Sequence, residues 1–358
     1  MDVPVLDGFE YRDWQTGADG QVRFALVGLG WWTRDYVIPA LESASFGTAT
    51  TVVSSSRDKL DRAVAENESI DTGVTYDEFE QGVDADAYDA VYVCTPNGTH
   101  LDFVDAAAEQ GKDVLVEKPM ESSVERADRL RAVADRAGIT LMVAYRMHTE
   151  PTVRYARELI RAGIIGDPVL VHGEMSQVLL SIIEDPDQWR LDRDLSGYGT
   201  SVMDLGIYPL NTTRFLLDAD PVAVQSMMSS NHEAFDDVPD EVATFSVRYD
   251  DGTTAAFSAS QNAQESSRLE VVGHDGRIEF DPAFDMETDL TVEVGDATVD
   301  VDLPTVDQME EEFEYFASKV LADQPVHADG EHGLLDMRAM EAVYEAARSG
   351  ERVFVEDE

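Results

Sequence analysis

Between Val22 and Tyr145 the chain repeats one pattern: short apolar runs at Val22–Val27, Thr50–Ser54, Ala90–Thr95, Val114–Glu117 and Thr140–Tyr145, separated by stretches with apolar residues at helical spacing. That alternation leaves few folds open. Parallel strands must be joined by crossovers of a dozen or more residues, and Arg57–Asn67, Thr99–Gln110 and Val124–Ala137 read as helical crossovers. The expectation is an α/β domain with a parallel sheet, ending near residue 145.

The first run leads into Val27-Gly28-Leu29-Gly30-Trp31-Trp32-Thr33 at the opening of a helix, the context that a dinucleotide-binding Rossmann turn requires. Gly28 allows the tight turn, and Gly30 lets a pyrophosphate approach the helix N-terminus, where free N–H groups and the dipole favour an anion. Thr33 stands where the third glycine would be. A strand ending in Gly-x-Gly is also compatible with an ordinary tight turn. Trp31 and Trp32 are placed to flank a nicotinamide or a substrate, and packing between domains suits them equally. After the second run an NAD site has Asp or Glu for the ribose 2′-hydroxyl, whereas this chain reads Ser54-Ser55-Ser56-Arg57-Asp58-Lys59. Ser55 and Ser56 followed by the forked donor of Arg57 suit a 2′-phosphate, so NADP is expected ahead of NAD. Ser56 equally fits the N-cap of a helix.

Beyond a helix at Pro151–Arg161 the pattern changes to strands: Val169–Gln177, Val222–Ser229, Glu241–Tyr249, Thr253–Gln261, Arg268–Val272 and Arg277–Phe280. Asp250-Asp251-Gly252 and His274-Asp275-Gly276 read as hairpin turns. The second domain is therefore α+β with a large open, mostly antiparallel sheet. Helices at Val306–Leu321 and Glu331–Ser349 close the chain. The expected division is an N-terminal extension over 1–20, the Rossmann domain over 21–147, the α+β domain over 148–305, and helices and a strand over 306–358 that return toward the Rossmann domain.

Three further segments carry a resemblance: Cys94-Thr95-Pro96-Asn97-Gly98-Thr99-His100, Glu117-Lys118-Pro119, and Met203-Asp204-Leu205-Gly206-Ile207-Tyr208-Pro209. With Trp189-Arg190 ahead of Gly197-Tyr198-Gly199, their order and spacing over residues 21–355 resemble the glucose-fructose oxidoreductase and inositol dehydrogenase family. The resemblance implies that Thr95, Pro96, Asn97 and His100 line the nicotinamide side of the cofactor site. It implies that Glu117 and Lys118 form the active-site turn and that Tyr208 is the proton-transfer residue. Asp204 and Tyr208, four apart at a helix start, share one face and can reach one ligand together. Arg146 and Trp189 are weaker candidates for the substrate wall. The substrate implied is an aldose, D-xylose among the pentoses, oxidised at C1 to a lactone. A free tyrosine ionises near pH 10, so a half-ionised Tyr208 base at pH 7 needs roughly 4 kcal/mol of selective stabilisation, part of which the ammonium of Lys118 can supply. The alternatives are another aldose or cyclic diol dehydrogenase of the same family, and a catalytically silent NADP-binding sensor or scaffold. The resemblance also implies a homodimer or homotetramer through the open sheet face, and an apolar stripe on Thr253–Gln261 is compatible with that.

Composition narrows partners and setting. With 73 Asp and Glu against 26 Lys and Arg, the net charge of -47 repels nucleic acid, and no basic run offsets it. Cys94 is the single cysteine, so no internal disulfide is expected. The segment Met1–Gly20 lacks a basic start and an apolar stretch, and no 18-residue apolar run occurs anywhere, so a cytoplasmic protein without membrane contact is expected. The histidines show no zinc-like spacing, His327 and His332 being five apart without a partner motif, so no metal is expected. Only 4 of the 26 basic residues are lysines, and Asp (42) outnumbers Glu (31), a surface that resembles those of extreme halophiles. At ~1 M salt the Debye length is about 3 Å and such a surface scarcely repels itself. The melting temperature should therefore rise between dilute buffer and molar KCl, and an unchanged value in a thermal scan would remove the halophilic reading.

Overall fold

The computed structural model describes residues 9–12, 14 and 19–355, which form two compact units. One takes residues 12–146 with 307–335, and the other takes 147–306 with the described residues before 12 and after 335.

In the first unit the strands are β1 (Val22–Val27), β2 (Gly47–Val53), β3 (Thr72–Val74), β4 (Ala90–Val93), β5 (Asp113–Glu117) and β6 (Leu141–Ala144). Helices α1 (Ile38–Ser43), α2 (Arg57–Glu66), α3 (Tyr76–Glu80), α4 (His100–Glu109) and α5 (Val124–Ala137) join them. The strands form a six-stranded parallel sheet in the order β3-β2-β1-β4-β5-β6. Every residue of β4 and β6 is buried, so these strands read as continuous apolar runs rather than alternations. The strand absent from the sequence pattern is β3, whose three residues Thr-Gly-Val show no periodicity. Pairing with β2 fixes it, and Gly73 leaves room for Leu60 of α2, whose Cβ would lie 3.1 Å from a Cβ there.

The second unit contains α6 (Pro151–Arg161), β7 (Pro168–Val178), the single turns α7 (Leu179–Ile182) and α8 (Arg193–Ser196), and α9 (Ile207–Leu217). Strands β8 (Pro221–Ser229), β9 (Val242–Tyr249), β10 (Thr254–Ser260), β11 (Asn262–Gly273), β12 (Gly276–Phe280), β13 (Leu290–Val294) and β14 (Ala297–Val301) follow. Asp250-Asp251-Gly252 joins β9 to β10, and His274-Asp275-Gly276 leads from β11 into β12. Along β9, Ala243, Phe245, Val247 and Tyr249 are buried while Val242, Thr244, Ser246 and Arg248 are exposed, the signature of a sheet covered on one face. Helix α9 lies on the covered face and comes close to β7 at Gly173, where a Cβ would sit 2.7 Å from Pro209 Cβ. The apolar stripe of Thr253–Gln261 points inward: Ala255, Phe257 and Ala259 are buried, and the open face of β10 shows Thr254 and Ala256. That stripe is core. Exposed apolar side chains near the sheet are Val169, Leu170, Met227, Val242 and Phe354.

The C-terminal helices α10 (Gln308–Leu321) and α11 (Gly330–Ser349) divide between the units. Helix α10 belongs to the first, where the Phe313 ring meets those of Phe24 and Tyr92, each at 5.1 Å. From Asp336 onward α11 belongs to the second, because buried Asp336 accepts hydrogen bonds from Asn211 and Arg214 of α9, each at 2.7 Å. The last strand, β15 (Val353–Phe354), pairs with β8, extending the second sheet to nine strands instead of returning toward the Rossmann sheet as expected. That sheet runs β14-β13-β12-β11-β7-β10-β9-β8-β15, with β7 and β10 parallel.

Of the expected N-terminal extension, residues 1–8, 13 and 15–18 lie outside the described residues. The described part is anchored: Trp14 is fully buried against Tyr315 of α10 at 5.3 Å, and its carbonyl accepts from Ser318 Oγ at 2.6 Å. Arg12 donates to Glu311 at 2.8 Å. Replacing Trp14 with Ala should therefore cost about 3 to 5 kcal/mol, read by denaturant unfolding at constant molar KCl.

Candidate active site

The carboxyl edge of the parallel sheet carries the first group of candidate residues. Gly28 adopts φ +98°, and a Cβ there would fall 2.1 Å from the Cys94 carbonyl oxygen, so only glycine lets the ends of β1 and β4 close on each other. Thr33 is buried and donates its hydroxyl to the Gly28 carbonyl at 2.7 Å. It braces the turn from behind rather than facing a ligand. A π-helical turn, Thr33–Val37, runs into α1, so the first N–H groups of a continuous helix lie beside Gly30. Nothing lies within 4 Å of where a Gly30 Cβ would be. Trp31 is 39% exposed, and Trp32 stacks on Tyr36 at 4.7 Å with its Nε1–H buried and unpartnered. Open space at Gly30, free helix N–H groups and an unused indole donor fit a dinucleotide pyrophosphate.

The end of β2 sorts its three candidates differently. Ser55 is exposed, whereas Ser56 caps α2 by accepting from the Lys59 N–H. Arg57 pairs with Glu78 and donates to the Gly73 carbonyl at 3.3 Å. Hydrogen bonds from Thr75, backbone then hydroxyl, and then from Arg57, hold the Glu78 carboxyl below its ordinary range. Lys59, at the end of the same stretch, brings Nζ to 3.4 Å from the Leu29 carbonyl inside the dinucleotide turn.

Beyond β4, Thr95 and Pro96 are half-buried and Asn97 is buried, with Thr99 Oγ1 donating to the Pro96 carbonyl at 2.7 Å. His100 has no exposed surface; its ring nitrogens lie 3.2 Å from the Met120 carbonyl and 2.9 Å from the Thr95 carbonyl. Its place is that of a strut between the loops after β4 and β5. Glu117 accepts from the Tyr92 hydroxyl at 2.7 Å and from the Lys118 N–H at 3.1 Å. Behind it Glu312 of α10 is fully buried with both oxygens unpartnered, and burial followed by the charge of Glu117 pushes its carboxyl well above the usual range. Arg146 acts against that shift and donates to Gln308. Buried and bonded to Gln308 of α10, Arg146 belongs to this interior and not to a substrate wall as expected.

In the second unit one observation isolates two side chains. From Thr200 to Leu216 every residue is buried except Asp204 and Tyr208, so a helix otherwise sunk in the core shows only these two. Asp204 lies in a π-helical turn, Val202–Gly206, and Tyr208 in the first turn of α9. Such turns re-aim side chains within a helix. Asp204 Oδ2 accepts from Arg190 Nε at 3.0 Å and from Gln261 Nε2 at 2.9 Å. Arg190 in turn lies 4.4 Å over the Trp189 ring, so Trp189 acts on the site through Arg190. Tyr208 packs beside Phe284 at 5.7 Å. Arg190 and Gln261 were not assigned from sequence; Arg190 had a signal in its place between Trp189 and the glycine stretch, and Gln261 had none.

Among the described residues no group of three His, Cys, Asp or Glu could hold a metal ion. The turn makes a paired expectation: Gly28→Ala should destabilise by on the order of 3 kcal/mol through strain and the Cys94 contact, whereas Gly30→Ala should leave the thermal midpoint within about a degree of the parent. Equal midpoints for the two variants in a thermal scan would contradict this geometry.

The GFO/IDH/MocA oxidoreductase model with an NAD-binding Rossmann fold matches residues 22–145, and that of the GFO/IDH/MocA C-terminal domain matches 153–279. The D-xylose 1-dehydrogenase (NADP+) of Haloarcula marismortui is 49% identical over 354 residues, 98% of each chain. D-xylose 1-dehydrogenase (NADP+) 2 of Haloferax volcanii is 32% identical over 321 residues, 88% of this chain and 94% of the relative. The crystal structure of aldose-aldose oxidoreductase from Caulobacter crescentus complexed with glycerol superposes with a TM-score of 0.88 at 29% identity, covering 93% of this chain and 99% of that one. On these matches the chain belongs to the GFO/IDH/MocA family of oxidoreductases.

Proposed function

We propose that the chain is an NADP-dependent D-xylose 1-dehydrogenase that oxidises the C1 hydroxyl of the cyclic sugar to the lactone. The observation that carries this reading is 49% identity over 98% of the chain to the Haloarcula marismortui enzyme. NADP, when bound, accepts the hydride that leaves C1.

Tyr208 takes the hydroxyl proton as the carbonyl forms. Asp204, its carboxylate oriented by Arg190 and Gln261, accepts hydrogen bonds from sugar hydroxyls and holds the ring in register. Lys118 contributes the ammonium that favours the deprotonated oxygen. The N–H groups beside Gly30 and the Nε1–H of Trp32 would hold the pyrophosphate, and Glu117, Thr95, Pro96 and Asn97 would line the nicotinamide side. The exposed Ser55 and the guanidinium of Arg57, now paired with Glu78, would hold the 2′-phosphate. Lys59, at the Leu29 carbonyl, adds a second cation on this side.

The protein works as a homo-oligomer in a salt-rich cytoplasm, through the open sheet face that carries Leu170, Met227 and Val242. Among the described residues no helix is long and apolar enough to cross a membrane.

The test is NADP reduction at 340 nm in concentrated KCl, with D-xylose, L-arabinose, D-ribose, D-glucose and a cyclic diol in parallel, each repeated with NAD. Xylose with NADP should give the highest kcat/KM. Tyr208→Phe should lower kcat by about 100-fold or more, the scale of general-base catalysis, while NADP binding persists. Surviving turnover in that variant would remove Tyr208 as the base. NADP binding with every sugar inert in the parent would favour the sensor reading.

A further inference from the structure

The helix that presents Asp204 and Tyr208 starts with N–H groups that need acceptors from outside the helix. Those acceptors come from a distant strand. Asp240, just before β9, is fully buried, and its Oδ1 accepts from the Thr200 N–H at 2.8 Å while its Oδ2 accepts from the Val202 N–H at 2.9 Å. Oδ2 also accepts from the Tyr344 hydroxyl of α11 at 2.6 Å. The approach needs glycine at 199, because a Cβ there would lie 2.1 Å from Asp240 Oδ1 and 2.7 Å from Tyr344 Oη. The Gly197-Tyr198-Gly199 stretch thus has a physical role in admitting the carboxylate. Neighbouring bonds tie the same helix start to the same strands. Ser201 Oγ donates to the Glu241 carbonyl at 2.9 Å and accepts from the Gln261 N–H at 3.0 Å, and the Gln261 side chain holds Asp204.

We propose that Asp240 is a positioning residue for the reaction: its carboxylate, capping Thr200 and Val202, sets the first turn of this helix so that Asp204 and Tyr208 stand where sugar oxidation needs them. The inference rests on the assignment of Tyr208 and Asp204 to the sugar. Asp240 touches neither substrate nor cofactor and acts through the helix.

This cap titrates in an accessible range. Burial raises the Asp240 carboxyl to about 6, against the opposing pull of hydrogen bonds from Tyr344, Val202 and Thr200. Tyr344 is the titratable group facing it from α11, and Arg193 acts in turn on Tyr344. The adjacent Glu241 turns its carboxylate away, to the N–H groups of Asn231 and His232 and the amide of Asn262. The folded-state value lies above that of a free carboxyl. Stability contributed by Asp240 is therefore complete at low pH and lost as pH rises through about 6. Acidification does not unfold the protein through this group. A loss of turnover as pH falls through about 6 then reflects a cap whose protonated oxygen no longer accepts, with the fold intact.

The experiment measures kcat and KM against pH from about 5 to 8.5 on the full-length protein in molar KCl, for the parent, Asp240→Asn and Tyr344→Phe, with circular dichroism and NADP affinity alongside. Asp240→Asn turns one of two acceptors into a donor and should lose roughly tenfold or more in kcat at pH 8, with NADP affinity unchanged and no acid limb near that of the parent. Tyr344→Phe removes a bond that favours the ionised form, so its acid limb should move to higher pH. Should Asp240→Asn fold poorly, the Tyr344→Phe shift decides alone. An acid limb at the same pH in the parent and Tyr344→Phe, or a shift to lower pH, overturns the proposal. Failure of the underlying assignment looks different: Tyr208→Phe would then retain turnover whatever the two cap variants do.

Discussion

The carboxyl edge of the parallel sheet depends on one place where backbone meets backbone. Gly28 sits so close to the Cys94 carbonyl that no side chain fits between them. That closeness draws together the strand ends β1 and β4, and with them the helix start at Trp31 and the loop that begins at Thr95. Thr33 secures the turn from inside through the Gly28 carbonyl, and His100 secures the next loop through the Thr95 and Met120 carbonyls. Residues that seem to belong to a binding surface when read as motifs turn out to be the frame behind it. The exposed members, Trp31 and Ser55, and the open space at Gly30 are what the frame leaves for a ligand.

The second domain solves the opposite problem, that of exposing two polar groups from a helix buried on nearly all sides. Asp204 and Tyr208 emerge because the helix opens with a π-helical turn and is held there by acceptors brought from β9 and the residues beside it. Arg190 and Gln261 converge on the Asp204 carboxylate, fixing its direction without neutralising its capacity to accept further hydrogen bonds. The chain's few cations are placed with similar economy. Of its 4 lysines, Lys59 and Lys118 follow β2 and β5 at the edge where a dinucleotide would lie. Arg214 lies inside, against the buried carboxylate of Asp336, where a lone carboxylate would be costly.

Much of this was legible from residue order. The strand and helix rhythm set out the first domain, and the run of strands with turn signals after Pro151–Arg161 set out a second, mostly antiparallel sheet. Several features were not legible, among them the hairpin β13–β14, which the strand pattern ending at Phe280 did not include. β3 is too short to have a period and exists only because β2 offers a partner. The stripe Ala255, Phe257 and Ala259 has the same alternation whether its apolar face looks inward or outward, and only the position of the core decides which. The last strand joined β8 because Asp336 is held by α9 at a point in α11 that no local pattern marks.

What the sequence determined by itself is what depends on near neighbours along the chain: the parallel sheet, the glycine turn, the spacing of Asp204 and Tyr208, and the acidic surface. What tertiary structure decided is which of the candidate side chains are free to meet a ligand. Ser56, Thr33, His100 and Arg146 look as chemically able as the exposed Ser55 when written in a line, yet each is already committed to a cap, a carbonyl or a buried partner. Hydrogen-bonding capacity is a property of the residue, but whether it remains unused depends on groups that arrive from far away in the chain, as Asp240 arrives at Thr200 and Val202.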